Sequence, residues 1–399
     1  MANILLVILV TLALAYFLSE IFKRFGLPRV LGQVLAGIFL GIPVIKNYFF
    51  DANAVSVVAF LTNIGIILLF FFVGLETNLL QFRKNVRESA MISIFNTLVP
   101  FSLGFVASRA LFHFDNLASL VIGISLSVSS QAISLDILDE AKMLKSKIAN
   151  LMITAGTVDD IFELIAISLV LVIFHTAGFT GEGTVFSLLI DIGIFVVIVM
   201  ILRVTLIPFA LRAFERDNSQ AILFMGALII VLLMAYLSEI FGVSSLIGAL
   251  VAGIIVRQTL ISGDHRQPWR KNEISHLIHV ISFGFLIPIF FVNVGLQTNI
   301  QSIFSNIWLA LVLIFIDLFG TVGGTLLGVV LSKGTVKEGM IVGWGMAPKG
   351  DTELVIATLA LNKSLITTDI YTAIVAVAIA STFIAPIVFK FLIRRHKTA

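Results

Sequence analysis

AYFLSEIFKRFGLPRVLGQVLAGIFLG, residues 15–41, returns with small changes as AYLSEIFGVSSLIGALVAGIIV, residues 235–256. Gly26, Gly32 and Gly37 fall opposite Gly242, Gly248 and Gly253. Two further matches follow in the same order: FFFVGLETN (70–78) with FFVNVGLQTN (290–299), and VIGISLSVSSQAIS (121–134) with IVGWGMAPKGDTEL (341–354). Glycine-rich apolar helices resemble one another by composition, but composition alone does not hold the polar letters of LSEIF and VGLxTN in register. The chain is therefore read as an internal duplication.

What is duplicated is membrane-spanning. The 399 residues are 59% hydrophobic and 12% charged, with a mean hydropathy of +1.11, outside the range of soluble domains. Apolar runs long enough to cross a bilayer, about 20 residues each, number about thirteen: 2–22, 29–45, 55–76, 88–112, 117–137, 148–174, 184–211, 219–241, 243–260, 275–296, 303–332, 337–361 and 367–393. The expected fold is an all-α membrane protein. The N-terminal run has no basic residue before it and no small-residue cleavage site after it, so it reads as a first span and not as a removable signal. Cysteine is absent, which excludes disulfides and thiolate metal sites. The net charge of +3 belongs to membrane loops and implies no nucleic acid.

The repeat pairs span one with eight, two with nine, and so on to six with thirteen. Residues 1–176 and 219–394 are then two six-helix repeats, and 184–212 is a linker helix, all within one transmembrane domain. A displacement of seven spans is odd, so paired helices run in opposite directions. Inverted repeats of this kind give secondary transporters their two exchangeable conformations. Lys and Arg concentrate in alternate loops, at Lys23, Arg24 and Arg29, at Arg83, Lys84 and Arg87, at Lys142, Lys145 and Lys147, and so on to the tail Lys390, Arg394, Arg395 and Lys397. By the positive-inside rule the N-terminus lies outside and the C-terminus in the cytoplasm of a multi-pass protein of the cell membrane.

Such folds bind their substrate near the midplane, where discontinuous helices expose backbone ends. SVSSQAIS (127–134) and MAPKGDTEL (346–354) put polar groups, proline and glycine halfway along repeat-related spans. Pro348 removes a backbone donor and Gly350 loosens its neighbour, so two broken helices are predicted to cross. Lys349 and Asp351 are suited to compensate the half-helix dipoles at that crossing. In the sixth span, AGTVDDIFEL (155–164) carries Asp159 and Asp160, with Glu163 one turn on. A charged Asp at the centre of a spanning helix costs about 2.5–3.5 kcal/mol, which a partner, a cation or a proton must offset. Ser129, Ser130, Gln131 and Thr157 supply oxygens suited to a small hard cation such as Na+ or K+. A carboxylate that holds either a proton or a cation, but not both, is already an exchanger. Glu20, Glu76, Asp191, Glu239 and Asp317 read mainly as packing or interface groups. An intramembrane aspartyl protease, the enzyme alternative, needs its two aspartates on separate helices with a GxGD motif; here they are adjacent and the nearest match is PKGD. A passive channel would give flux that does not saturate.

With these residues assembled, the chain resembles the monovalent cation:proton antiporter-2 family, which includes bacterial sodium/proton antiporters and Kef-type potassium/proton systems. GLPRVLGQVLAGIFLG is similar to its GLPxVLGxLLAGxLLGP, FFFVGLETNL to FxxGLExxL, SVSSQAI to SSTAI, and APKGDTEL to PRGE. Asp159 and Asp160 match its paired acids. The resemblance implies the sodium/proton antiporter fold, a homodimer with a moving core, no cofactor, and Asp160 as the residue that binds cation and proton. It implies exchange of Na+ for H+, or of K+ for H+ in a Kef-type protein without its regulatory domain, since the sequence stops at KFLIRRHKTA. Two departures stand out. Gln131 replaces the Thr of SSTAI, and Thr321 stands where a Lys that pairs with the first Asp is usual, leaving Asp159 without that partner. Asp317, one turn earlier, adds a further negative group.

Overall fold

The computed structural model describes residues 4–77, 86–130, 132–143, 146–156, 158–159, 184–205, 220–241, 244–262, 268–350 and 352–397. Among them the chain is helical, with no strand. The helices are α1 (Ile4–Arg24), α2 (Arg29–Leu40), α3 (Pro43–Phe49), α4 (Ala52–Glu76), α5 (Val86–Ala110), α6 (Asn116–Ser127) and α7 (Ala132–Glu140), then α8 over 147–156 and 158–159. They continue with α9 (Thr184–Val204), α10 (Gln220–Ile240), α11 (Ser245–Ser262), α12 (Pro268–Ile281), α13 (Ile287–Gln297), α14 (Ile300–Ser305), α15 (Ile307–Leu331), α16 (Val336–Met346), α17 (Thr352–Asn362) and α18 (Thr368–Lys397). Seven are long and apolar enough to cross a membrane: α1, α4, α5, α10, the α12–α13 rod, α15 and α18. Of the predicted sixth span, only the part up to Asp159 lies among the described residues.

Local chemistry sets the ends. The carboxylates of Asp51 and Asp115 accept from the backbone N–H groups of Ala54 at 2.9 Å and Ala118 at 2.7 Å, opening α4 and α6, and Thr335 with Glu338 forms a capping box on α16. Two spans differ in extent from their predicted form, and a third carries a local irregularity. The second stops at Leu40 and turns by 85° into α3, which begins on Pro43, a residue suited to a first helical turn. The tenth contains a π-turn at Ser282–Leu286. Pro288 has no N–H for the Gly284 carbonyl, so the ladder shifts there and Ile287 donates to Ser282 instead. The eleventh begins at Ile307, after the separate short helix α14.

The chain divides into two compact units, Met1–Leu12 with Phe49–Leu79 and Ser168–Asn293, and Ala13–Tyr48 with Leu80–Ile167 and Val294–Ala399. Corresponding positions of the two sequence halves do the same work in different units. In the second unit Ser19, the serine of LSEIF, donates to the carbonyl of Arg29 at 3.0 Å and ties α1 to α2. In the first, Ser238 donates to the carbonyl of Ser244 at 2.8 Å, between α10 and α11. The glycine of VGLxTN is likewise a helix contact twice over. A Cβ on Gly74 of α4 would lie 2.3 Å from the Leu250 carbonyl oxygen of α11. One on Gly295 of α13 would lie 2.1 Å from the Val34 carbonyl oxygen of α2. In each case the following Leu carbonyl accepts from a cation, Leu75 from Arg257 at 2.8 Å and Leu296 from Lys46 at 3.4 Å.

These contacts are backbone against backbone, so a side chain cannot be accommodated by a rotamer change. Gly295→Ala is expected to lower stability by about 1–3 kcal/mol or more, the cost of overpacking. Gly323→Ala is the control. It sits inside α15 with nothing within 4 Å of its Cβ position, and should gain roughly 0.5–1 kcal/mol from helix propensity. Thermal unfolding in detergent, with opposite signs for the two variants, checks the pair.

The second unit holds an apolar cluster near the predicted site. Ile92 of α5, Met152 and Ala155 of α8, Val342 and Met346 of α16, and Phe389 of α18 are all buried there. On one edge α15 lies tightly against α5, since a Cβ on Gly324 would sit 2.2 Å from the Phe95 carbonyl oxygen. That approach lets short polar side chains meet across the two helices.

Candidate functional site at the helix crossing

In the second unit α6 ends at Ser127 and residues 128–130 ahead of α7 are non-helical; α16 ends at Met346 and residues 347–350 ahead of α17 are non-helical. Val128 is extended, with φ −74° and ψ 137°. The two breaks touch. The Ser130 N–H donates to the Pro348 carbonyl at 2.8 Å, and a Cβ on Gly350 would come within 2.9 Å of the Ser130 Cβ. Proline and glycine thus have separate uses, the first ending α16 and the second admitting Ser130.

A broken helix leaves unpaired carbonyls and N–H groups that cost free energy in an apolar interior. Lys349 answers the first need. Its Nζ donates to the Leu126 carbonyl at 2.7 Å and to the Val128 carbonyl, at the negative end of α6. It also pairs with the carboxylate of Asp317 on α15 at 2.9 Å, both side chains wholly buried. Thr382 of α18 holds the Lys349 backbone by donating to its carbonyl at 2.9 Å. At the start of α17 the Glu353 carboxylate accepts from the Gly350 N–H at 3.0 Å, a negative group at a positive helix end. Asp351, expected for this purpose, lies outside the described residues, and Glu353 was not singled out from the sequence.

Asp159, at the end of the described part of α8, is buried beside the crossing. One carboxylate oxygen accepts from Ser93 at 3.2 Å and Thr97 at 2.8 Å, the other from Asn96 Nδ2 at 3.0 Å and from Ser129 Oγ. Four neutral donors therefore surround it, and among the described residues it forms no ion pair. Ser93, Asn96 and Thr97 lie at i, i+3 and i+4, one face of α5. Sequence reading passed over them, though three polar residues at that spacing in an apolar span, followed by Pro100, were a usable signal. Pro100 has no N–H to give the Asn96 carbonyl, which loosens α5 at this turn.

Of the other sequence candidates, Ser129 and Ser130 are brought to the crossing. Asp160, Gln131, Thr157 and Glu163 lie outside the described residues. Thr321 is buried on α15 between Asp317 and Thr325, and its hydroxyl has no hydrogen-bond partner among the described residues. Asp317 faces Lys349. Ser129 still has capacity for a ligand. Its O–H is given to Asp159 and one lone pair takes the Asn96 amide at 3.3 Å, so among the described residues one acceptor lone pair is left.

The profile of the sodium/hydrogen exchanger transmembrane family matches residues 8–395. The Na+/H+ antiporter of Enterococcus hirae is 29% identical over 381 residues, 94% of each chain. The Na+/H+-K+ antiporter GerN of Bacillus cereus is 27% identical over 373 residues, 94% of this chain and 92% of its own. Among solved structures, the sodium proton antiporter MjNhaP1 of Methanocaldococcus jannaschii superposes with a TM-score of 0.67 at 15% identity, over 96% of this chain and 94% of that one. This last likeness is one of fold.

Proposed function

Since the chain belongs to the sodium/hydrogen exchanger family, we propose that it is a secondary antiporter exchanging a monovalent cation, Na+ first, for H+, with both competing for Asp160. The observation that carries this reading is the crossing of two broken helices held by Lys349, with a buried carboxylate and a spare Ser129 lone pair beside it. Asp160, the next residue after Asp159, presents the exchangeable carboxylate. Ser129, Ser130, Gln131 and Thr157 complete an oxygen shell for a hard cation. Asp159, wrapped in neutral donors, contributes a negative charge that draws the cation in, and Thr321 and Glu163 modulate the site from its margin.

A cation entering from one side displaces the proton from Asp160; after the site turns to face the other side, the reverse occurs. The matched roles of Ser19 and Ser238, and of Gly74 and Gly295, support an inverted repeat that makes the two orientations near-equivalent. The unit carrying the crossing is the moving part, within a homodimer whose N-terminus is outside and whose C-terminus is cytoplasmic. K+/H+ exchange is the second reading, since the printed name of the Bacillus relative includes K+ beside Na+ and H+.

Proteoliposomes with an imposed pH gradient test this. Added Na+ should collapse the gradient in a saturable way, more effectively than K+, with Li+ compared in parallel. A voltage step should leave the rate unchanged for one-for-one exchange. Absence of any cation-dependent proton movement, or flux that rises linearly without saturating, would overturn the assignment.

A further inference from the structure

A side-chain amide serves a carboxylate in only one of its two flips, because its NH2 donates and its oxygen accepts. Asn96 is fully buried and stands between the Asp159 shell and α15. Its Nδ2 donates across the pair formed by Asp159 Oδ2, at 3.0 Å, and Ser129 Oγ, at 3.3 Å. Its oxygen accepts from Thr325 Oγ1 at 2.8 Å. Turned over, the amide would set its oxygen against the carboxylate oxygen, acceptor facing acceptor. Thr325 is also fully buried and is carried to Asn96 by the tight approach of α15 to α5 at Gly324.

We infer that Thr325 is a positioning residue for cation binding: its hydroxyl locks the Asn96 amide so that the NH2 side faces Asp159 and Ser129 and holds them together. With the NH2 side held in place, the Ser129 hydroxyl keeps its O–H on Asp159 and its second lone pair free for the cation. Without the Thr325 hydroxyl, the Asn96 oxygen becomes a buried acceptor with no donor. The amide then turns to find one, and Ser129 is released. The loss falls on cation affinity and not on the rate at which the site reorients. This inference rests on the reading of Asp160 and Ser129 as the exchange site.

Thr325→Val keeps the shape and removes the hydroxyl, while Thr325→Ser keeps the hydroxyl. In proteoliposomes Thr325→Val should raise the KM for Na+ by about 10-fold or more, the scale of lost outer-shell partners, with the maximal rate held within about 2-fold. At fixed Na+ the pH of half-maximal rate should move up, because a weaker cation competes less well with the proton. Thr325→Ser should restore both values. In an Asn96→Ala background Thr325→Val should have no further effect, since its action passes through the amide; Thr325→Ala serves the same comparisons if the valine variant is not recovered folded. Unchanged KM and pH profile in the valine variant, failure of serine to restore them, or effects that simply add to those of Asn96→Ala would each overturn the inference. Asp160→Asn run alongside separates the two levels. Activity in that variant overturns the exchange site itself, whereas its inactivity beside a wild-type-like Thr325→Val overturns only the role of Thr325.

Discussion

Asp160→Asn is expected to fold, insert and dimerise normally yet show no cation-dependent proton flux. The carboxamide matches the carboxylate in size, can neither release a proton near neutrality nor offer a negative charge, and so removes both halves of the exchange. Stability should not suffer, because a charged Asp at the centre of a membrane helix costs about 2.5–3.5 kcal/mol and its amide escapes most of that. Asp159→Asn should behave differently. Its oxygen can still accept from Asn96 and Ser129, and its NH2 can donate to the hydroxyls of Ser93 and Thr97, which turn to accept. What is lost is a charge beside the site. The KM for Na+ should rise while exchange persists. Flux and circular dichroism measured on the same preparations distinguish the two, and full exchange in Asp160→Asn would overturn the assignment of that residue.

Lys349→Met is expected to be the most damaging single change to the fold. It leaves Asp317 buried without its 2.9 Å partner and strips the Leu126 and Val128 carbonyls of their donor at the end of α6. Breaking a buried ion pair from one side costs about 3–5 kcal/mol, against a total stability of roughly 5–15 kcal/mol for a typical protein. Little folded protein should survive extraction. Lys349→Met with Asp317→Asn removes both charges, so part of the loss should return, while the open carbonyls keep the double variant below wild type. The yield of monodisperse protein and its thermal midpoint read this directly. A double variant no better than the single one would show that capping α6, and not the pair with Asp317, is what Lys349 contributes.

Much of the architecture was legible because it depends on local or repeated chemistry. The helix breaks at 128–130 and 347–350 follow from serines, proline and glycine in mid-span. The helix contacts at Gly74 and Gly295 stand in a motif that occurs twice. Spans two and eleven were misdrawn where a turn at Gly41 and the short helix α14 interrupt runs whose hydropathy is continuous, and the π-turn ahead of Pro288 inside span ten left no mark in hydropathy. Hydropathy averages over about 20 residues and does not register a local change of hydrogen-bond pattern.

By itself, then, the sequence determined the membrane class, the recurring motifs, the two broken spans and the paired acids, since each is written in composition, spacing or residue type along the chain. Only the tertiary structure decided what the buried acids Asp159 and Asp317 meet. Asp159 lies against Ser93, Asn96 and Thr97 of a different span, Asp317 against Lys349, and Thr325 against Asn96 across 229 positions of chain. The physical reason is that a buried polar group is satisfied by whichever donor packing brings within about 3 Å. That choice is made by how closely α15 approaches α5, a property of two surfaces and not of either segment.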